Sequence, residues 1–532
     1  MFWCEEVAAQ CHGPQIINDS KTPSGRVHVG ALRGVLIHDA IFRTLRSKGI
    51  EARYLFGVDD YDPLDEIPAG KDEHFSQYLG QPLCNVPAPD GSDATDMAEH
   101  YMGEFWGVFR ELGVEVEPYR MRDIYRSGRF NNAIDTILRH ADVVRRVYKE
   151  VSNSDRPPTW YPFQVVCENC GRIGTTEVFA YADGKVSYRC REDLVKWARG
   201  CGNQGSVSPF DGRGKLRAKM SSSRGLGASA RDMADLLPPE VLRFLMIRTK
   251  PNSPVNFDVN EDGIVKLFNE FDRYHTRVTR DKNATPDEAL VYQLAETRSK
   301  GDYFLPNFQL LSTLAQMPHL DPMLEIQKRH GAPLTEIECN AMERRLKSAA
   351  FWVEHYAKEE EKTRLQESLP ASHVTLSATQ CAFLQRLGVT LANVVWEDEQ
   401  LQAAVFETAR LTPIEQPLAF KAIYRVLLDK DAGPKAGNLF AYLERALLQK
   451  RFSEVPLDKA VFWKETALTQ EQLVEWMVLQ KPKIASYEHA IQSAECGHVL
   501  ELTVTMLDGK KHMRRVWLPE SAESNSVLSA LA

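Results

Sequence analysis

The stretch from Ile16 to Val58 constrains this chain more than any other. Ile16-Ile17-Asn18 reads as the end of a strand, and it runs into Asp19-Ser20-Lys21-Thr22-Pro23-Ser24-Gly25-Arg26-Val27-His28-Val29-Gly30. A helix is predicted from about Ala31 to Lys48, with Leu32, Val35, Leu36, Ala40, Ile41 and Leu45 on one face and Gly49 as its stop. Ala52 to Val58 is then a short, nearly continuous strand. Strand, loop, helix and strand within about fifty residues make a βαβ unit, which implies a right-handed crossover and a nucleotide-sized crevice at the strand ends. Glycines in the loop let backbone approach a phosphate, and His28 stands beside a helix N-terminus, where an anion would bind. Taken singly, His28 reads better as an ordinary histidine at a helix start.

A second stretch has chemistry that complements the first. Lys219-Met220-Ser221-Ser222-Ser223 is cationic and hydroxyl-rich, and Arg224, Gly225 and Gly227 follow it, ahead of a helix predicted from Ala230 to Lys250 whose main segment starts at Pro238-Pro239-Glu240. One lysine, several hydroxyls and free backbone N–H groups suit a ligand with moving negative charge, such as a triphosphate losing pyrophosphate. By itself the stretch also reads as a serine-rich surface turn. Pro-x-x-x-x-His-x-Gly on a first βα turn, followed much later by Lys-Met-Ser-x-Ser before a helix, resembles the paired signatures of class I aminoacyl-tRNA synthetases. Ala31 stands where the first signature has a second histidine, and Ser222 where the other has a second lysine. The resemblance implies an ATP site of Pro23, Ser24, Gly25, His28, Gly30, Lys219, Met220, Ser221 and Ser222, served by Mg²⁺. His28 and Lys219 are the implied catalytic residues, stabilising charge as a carboxylate attacks the α-phosphate and pyrophosphate leaves.

The flanking text is more specific. Thr22-Pro23-Ser24-Gly25, Val58-Asp59-Asp60-Tyr61-Asp62-Pro63, Leu79-Gly80-Gln81-Pro82 and Ala98-Glu99-His100-Tyr101-Met102 together resemble the class I lysyl-tRNA synthetases, and the likeness runs on to about residue 450. It implies a lysine–tRNA ligase that uses ATP to make lysyl-adenylate and transfers lysine to tRNA(Lys). Thr22, Asp59, Asp60 and Asp62 are the expected lysine-binding residues. An ε-ammonium needs carboxylates, and these aspartates stand just past a strand's C-terminal end, where α/β sites form. A water-exposed acidic loop is the plainer reading of any one of them. Some relatives carry a further metal site before the Ala98-Glu99-His100 stretch; Ser92 and Asp93 stand here in place of its Cys-His pair, so none is expected.

Cys167-x-x-Cys170, with Cys190 and Cys201, is the strongest metal signal. Tetrahedral zinc takes thiolate pairs on short knuckles, and Cys167-Glu168-Asn169-Cys170-Gly171 is such a knuckle. Between the pairs, Thr176–Phe179 and Lys185–Arg189 read as a hairpin turned at Asp183-Gly184. A structural zinc ribbon is expected, and four unmetallated cysteines are the alternative. The other six cysteines are scattered, which suits a reducing compartment.

An absence is as informative. Only 17 residues separate Cys201 from Lys219, too few for one βαβ crossover. In the lysyl-type family this interval holds the second half of the nucleotide fold, with a Trp-containing lysine-pocket stretch and a Gly-x-Asp-His-like stretch. Gly214-Lys215-Leu216 resembles the start of that block, and Arg217-Ala218 joins it directly to the loop, so roughly seventy residues of the family pattern are missing. The sheet should lose strands and the lysine pocket one wall.

Helices are predicted over Ala98–Leu112 and Asn131–Val151. Arginines crowd this region, Arg145 and Arg146 among them, with Tyr119, Tyr125 and Tyr148 interleaved; they could hold a tRNA acceptor stem, or form a solvated face. From about 258 to 450 the pattern is helical, and the resemblance implies an anticodon-binding domain there. Phe440 and Arg445, on its final helix, are the implied base-stacking and phosphate contacts, with a packed aromatic and a solvated arginine as the alternative. Beyond 455, Leu468–Leu479 reads as a helix, and Val499–Met506 with Met513–Leu518 as a hairpin turned at Asp508-Gly509.

A chain of 532 residues is too long for one core, and 43% hydrophobic with 26% charged residues leaves no reason to expect wholesale disorder. At net charge −8 a nucleic-acid partner has to meet a local patch. No run of about 18 apolar residues exists and Met1–Glu6 lacks a cationic flank, so a cytoplasmic protein is expected, with neither membrane nor DNA as partner. The expected architecture is α/β: a Rossmann-type catalytic domain lacking part of its second half, with a first half at 1–160, a zinc-ribbon-like insertion at 161–213 and a loop-plus-helix segment at 214–257. An all-helical anticodon-binding domain at 258–455 and a small α+β appendage at 456–532 follow. Three rivals stay open: a synthetase-like protein impaired in catalysis, another class I synthetase such as a glutamyl type, and a metal-stabilised RNA-binding protein.

Overall fold

A three-stranded parallel sheet carries the first part of the chain, with β1 (Gln15–Lys21), β2 (Ala52–Val58) and β3 (Glu117–Arg120) in that spatial order. The computed structural model describes residues 1–68, 73–217, 228–259, 263–299, 301–317, 321–358, 362, 364–494 and 497–518. It divides into two units, Met1–Ser312 with Ile326–Tyr356, and Thr313–Glu325 with Ala357–Ala532. The expected loop Lys219–Ser223 lies outside the described residues.

In the first unit, α1 (Trp3–Ala8) precedes β1, α2 (Val29–Ser47) joins β1 to β2, and α3 (Met97–Leu112) leads to β3. Leu32, Val35, Leu36, Ala40 and Leu45 of α2 are all buried, the expected face at helical spacing. Phe56 of β2 meets the rings of Phe105, Trp106 and Phe109 on α3 edge-on at 5.2–6.2 Å. Asp96 caps α3 by accepting from Glu99 N–H at 3.0 Å, and Gly113 ends it at φ 66°, in the left-handed region that favours glycine. Among the described residues β1 forms an edge of the sheet, and its Ile16 is 66% exposed.

Short helices follow β3: α4 (Met121–Arg126), α5 (Asn131–Arg139) and α6 (Ala141–Ser152). The single helix expected over Asn131–Val151 is therefore two. His140 breaks it at φ −110°, ψ 34°, where both its backbone N–H and its ring take the Thr136 carbonyl. β4 (Phe163–Val165) then pairs with β8 (Gly214–Leu216), antiparallel, while β5 (Thr176–Ala182), β6 (Lys185–Cys190) and β7 (Gln204–Val207) make a second antiparallel sheet. The β5–β6 turn falls at Asp183 and Gly184, both at positive φ (50° and 69°), where the sequence puts it.

α7 (Ala230–Leu236) starts with a capping box of Ser229 and Asp232, and the prolines at 238 and 239 separate it from α8 (Pro239–Ile247). Arg243 of α8 is fully buried and pairs with Asp39 of α2 at 2.6 Å, while donating to the carbonyls of Leu294 and Leu112. Three segments of the unit are thus fixed around α2.

In the second unit, helices at Ala378–Thr390, Asp398–Leu411, Gln416–Leu428, Ala436–Ala441 and Arg445–Ser453 precede a helix at Lys459–Gln480. Phe440 and Arg445 therefore sit on two helices, not on one. The last helix, capped by Asp458, begins earlier than its apolar pattern indicates. β9 (Ile484–Ala494), β10 (Gly497–Met506) and β11 (Lys511–Leu518) form an antiparallel sheet in the order β11-β10-β9. β10 and β11 are the expected hairpin. β9 was not legible, since half-exposed Tyr487 and Ile491 leave its alternation weak. Among the described residues no helix is long and apolar enough to cross a membrane.

Candidate functional site

His28 is the N-cap of α2. Its backbone is extended (φ −67°, ψ 146°) and its Nδ1 accepts from Gly30 N–H at 3.0 Å. An Nδ1 that accepts is unprotonated, so a neutral ring carries its proton on Nε2, which is then a donor. A side chain at residue 30 would bring its Cβ to 3.1 Å from His28 Nδ1, so glycine there leaves the ring its place. Pro23 is buried, and Ser24 and Gly25 are half-buried in the turn before it.

His28 and its neighbours meet the residues that follow the second stretch. His28 forms an isolated antiparallel bridge with Ser229; Val29 N–H donates to Ala228 C=O at 3.1 Å and Ala230 N–H to Val27 C=O at 2.7 Å. Arg26 clamps the same corner, bonding Glu104 of α3 at 3.1 Å and Asp232 of α7 at 3.1 Å. On the other flank of 218–227, Leu216 N–H donates to the Tyr125 hydroxyl at 3.1 Å and Lys215 reaches Asp62. Both ends of the segment that carries Lys219, Met220, Ser221 and Ser222 are therefore held at the β1 and β2 strand ends.

The three aspartates after β2 have different fates. Asp60 is completely buried and accepts the backbone N–H of Arg122 at 2.8 Å and its guanidinium as well. Arg122 continues to Asp96 at 2.6 Å and to Glu99 at 3.4 Å. Asp60 is thus committed to holding α4, and it is not open to a ligand's ammonium as the sequence had suggested. Asp59 accepts from Ser20 Oγ at 2.9 Å, and Asp62 from Thr22 Oγ1 at 3.0 Å and from Lys215 Nζ. Burial, and then the neighbouring Asp62 charge, push the Asp59 carboxyl above the usual carboxylate range. Burial likewise lowers Lys21 at the end of β1, opposed by Asp59 and Asp19. Tyr125 is pushed up to about 12, by burial first, and stays a neutral hydroxyl. Sequence reading did not put Arg122, Tyr125 or Lys215 at this site: Arg122 and Tyr125 were read among the arginines and tyrosines that could hold a tRNA acceptor stem, and Lys215 only as part of Gly214-Lys215-Leu216.

Cys167, Cys170, Cys190 and Cys201 gather with every sulfur within 4.8 Å of the others. Cys167 and Cys201 are 3.6 Å apart, and Cys170 and Cys190 3.7 Å. β6 delivers Cys190, and Cys201 N–H donating to Cys190 Sγ at 3.4 Å brings the fourth thiol back to the knuckle. Thiolates about 2.3 Å from a tetrahedral zinc stand about 3.8 Å apart, so the spacing fits that ion.

Of the residues expected to meet RNA, two lie in the first unit and two in the second. Arg145 of α6 donates to the Trp160 carbonyl at 2.8 Å, and Arg146 is exposed with Asp142 at 3.9 Å. In the second unit Phe440 is fully buried, 5.8 Å from the Phe452 ring, so it is a core side chain and cannot stack on a base. Arg445 donates to the carbonyls of Ala392 and Val394 at 2.9 and 2.8 Å and lies over Trp396. Its fork is spent on structure.

A family model described as tRNA synthetases class I (K) matches residues 2–219 and 215–298. A lysine–tRNA ligase of Methanosarcina barkeri is 27% identical over 536 aligned positions, covering 85% of this chain and 97% of the relative. A lysine–tRNA ligase of Thermoplasma acidophilum is 25% identical over 514 positions (86% and 99%), and one of Archaeoglobus fulgidus 27% identical over 501 (82% and 96%). Since 85% of 532 residues is about 450, about 80 of the 536 positions in the first alignment face no residue of this chain. The two matched stretches of the family model meet at 215–219, the junction at which the sequence pattern lacks its block.

Proposed function

This chain belongs to the class I (K) tRNA synthetases, and from that membership we propose that it is a lysine–tRNA ligase acting in the cytoplasm. The observation that carries the reading is the meeting of His28 with Ala228-Ser229-Ala230, the residues that follow the Lys219 segment in the chain. The curated relatives bearing this activity support the same reading over most of the chain.

In the proposed reaction the lysine carboxylate attacks the α-phosphorus of ATP, the bond to the β-phosphate oxygen breaks, and pyrophosphate leaves. A hydroxyl of the terminal ribose of tRNA(Lys) then attacks the adenylate's carbonyl carbon and AMP leaves. His28 Nε2–H and Lys219 would stabilise the charge that moves onto the departing phosphates, with Pro23, Ser24, Gly25, Gly30, Met220, Ser221 and Ser222 shaping the nucleotide site. Mg²⁺ would arrive with the triphosphate and offset its charge. Asp59 and Asp62, with Thr22, would receive the lysine ammonium. Asp60 is left out of that set. Arg145 and Arg146 remain proposed tRNA contacts, and the 161–213 segment a zinc-ribbon-like insertion. A zinc on Cys167, Cys170, Cys190 and Cys201 would be closed by four thiolates, so it would hold shape and take no part in the chemistry.

Lysine-dependent ATP–pyrophosphate exchange, with and without tRNA(Lys), tests the reading: exchange is expected with lysine and not with glutamate or arginine. A second reading has its own support. The parallel sheet has three strands among the described residues, and about 80 alignment positions lack a counterpart here. A synthetase-like protein that binds tRNA and nucleotide without ligating lysine would show no exchange with any amino acid while retaining tRNA binding.

A further inference from the structure

We propose that Lys215 is a built-in competitor for the amino-acid site, its ammonium occupying the carboxylate that the substrate's ammonium needs. The inference rests on the reading of Thr22, Asp59 and Asp62 as the lysine subsite. Asp62 offers one oxygen to the Thr22 hydroxyl at 3.0 Å and the other to Lys215 Nζ. The pair is sheltered, with 12% of the Lys215 side chain and 20% of Asp62 exposed, so solvent screens it far less than a surface contact.

The backbone of Lys215 is fixed on both sides. β8 pairs with β4 through Phe163↔Leu216, Gln164↔Lys215 and Val165↔Gly214, and Leu216 N–H is held by the Tyr125 hydroxyl. A cation anchored this way meets Asp62 as an intramolecular ligand, at an effective concentration in the millimolar range or above. Its chemistry is that of the substrate side chain, a primary ammonium on a four-carbon stem. Asp59 contributes to the subsite but cannot replace Asp62 in it, because it already takes the Ser20 hydroxyl and lies against Lys21. Free lysine therefore binds only the fraction of molecules in which Lys215 has left Asp62, and its apparent affinity falls by that fraction.

The test is equilibrium dialysis of radiolabelled lysine against the full chain. Lys215→Met keeps the stem and removes the charge; it should bind lysine at least about tenfold tighter than the unsubstituted chain. Lys215→Arg should show no gain, and adding Asp62→Asn to Lys215→Met should abolish it. A structural strut would not produce a gain of affinity. Should Lys215→Met fail to fold, Lys215→Gln, neutral and still able to donate to Asp62, should show the same gain. Unchanged affinity in a folded neutral variant overturns the inference alone, provided that Asp62→Asn weakens lysine binding in the unsubstituted chain. Lysine binding indifferent to Asp62→Asn, or absent in every variant, overturns the subsite reading together with the inference.

Discussion

Asp60 and Arg122 form a closed, buried clasp: the carboxylate accepts both the backbone N–H of Arg122 and its guanidinium, and Arg122 reaches on to both oxygens of Asp96 at 2.6 and 3.1 Å. Through it, the turn after β2 is tied to the start of α4 and to the cap of α3. Removing Asp60 leaves the Arg122 backbone N–H and one guanidinium N–H without a partner while Asp96 and Glu99 still offset the charge, at a cost of about 1–3 kcal/mol. Asp60→Ala should lower the midpoint of the first unfolding transition in urea accordingly, and tryptophan fluorescence checks it.

Asp59 stands in the opposite position. Its carboxyl is held above the usual range, by burial first and by Asp62 next, so the folded chain binds that proton more tightly than the unfolded chain does. Ionised Asp59 therefore subtracts from stability at neutral pH, and the cost fades as the pH falls through the raised folded value towards the ordinary one. Asp59→Asn, which still accepts from Ser20, should unfold at a higher temperature than the parent at pH 7 and show no gain near pH 3. Scanning calorimetry at the two pH values measures it. The same substitution should weaken lysine binding.

His28 caps a helix and is the proposed partner of a phosphate, and two substitutions separate the roles. Asn is as good an N-cap as any residue, whereas Ala leaves the Gly30 N–H without its partner, at about 1 kcal/mol. His28→Asn should keep the unfolding temperature and lose about a hundredfold in lysine-dependent exchange; His28→Ala should lose both. An Asn variant that retains exchange would leave His28 a cap only.

The four thiols predict a stoichiometry. Elemental analysis of the purified chain should give one zinc per molecule, and Cys170→Ser should lose it. Val178, Val186 and Tyr188 share a buried core with Tyr61, Tyr125, Ile134, Leu138 and Phe163, but without the ion the stretches that carry Cys167, Cys170 and Cys201 lose their common anchor. Limited proteolysis should then cut between Thr176 and Val207 in the variant and spare that segment in the parent.

Much of this site was legible because its signals are local. The α2 face follows from the spacing of Leu32, Val35, Leu36, Ala40 and Leu45, and Cys167-x-x-Cys170 announces a knuckle whatever surrounds it. What failed depended on partners distant in sequence. Asp59, Asp60 and Asp62 look alike in a string; Asp60 is set apart by Arg122, which the fold brings in from β3 and α4. Phe440 reads equally as a stacking platform or a core ring until Phe452 closes over it. Lys215 looks like the first residue of a missing block, and its contact with Asp62 exists only once β8 has paired with β4.

The open edge at β1 gives the last prediction. A parallel strand at a sheet edge exposes unpaired backbone groups, and parallel sheets are ordinarily covered on both faces. Among the described residues β1 has a partner strand on one side only, β2, and Ile16 lies 66% exposed. The relatives have alignment positions that this chain lacks, about 80 of them in the Methanosarcina barkeri case, and the family match breaks at 215–219. A chimera that carries that relative's block between Leu216 and Arg217 should pair a strand with β1 and bury Ile16. Amide exchange over Gln15–Lys21 should slow by at least about tenfold if those groups enter a ladder. Lysine-dependent exchange should rise in the same chimera, because a second wall would enclose the subsite. Slower amide exchange without a gain in activity would show that the block completes the sheet while the catalytic deficit, if any, lies elsewhere, and Lys215 would be the first residue to substitute in the chimera.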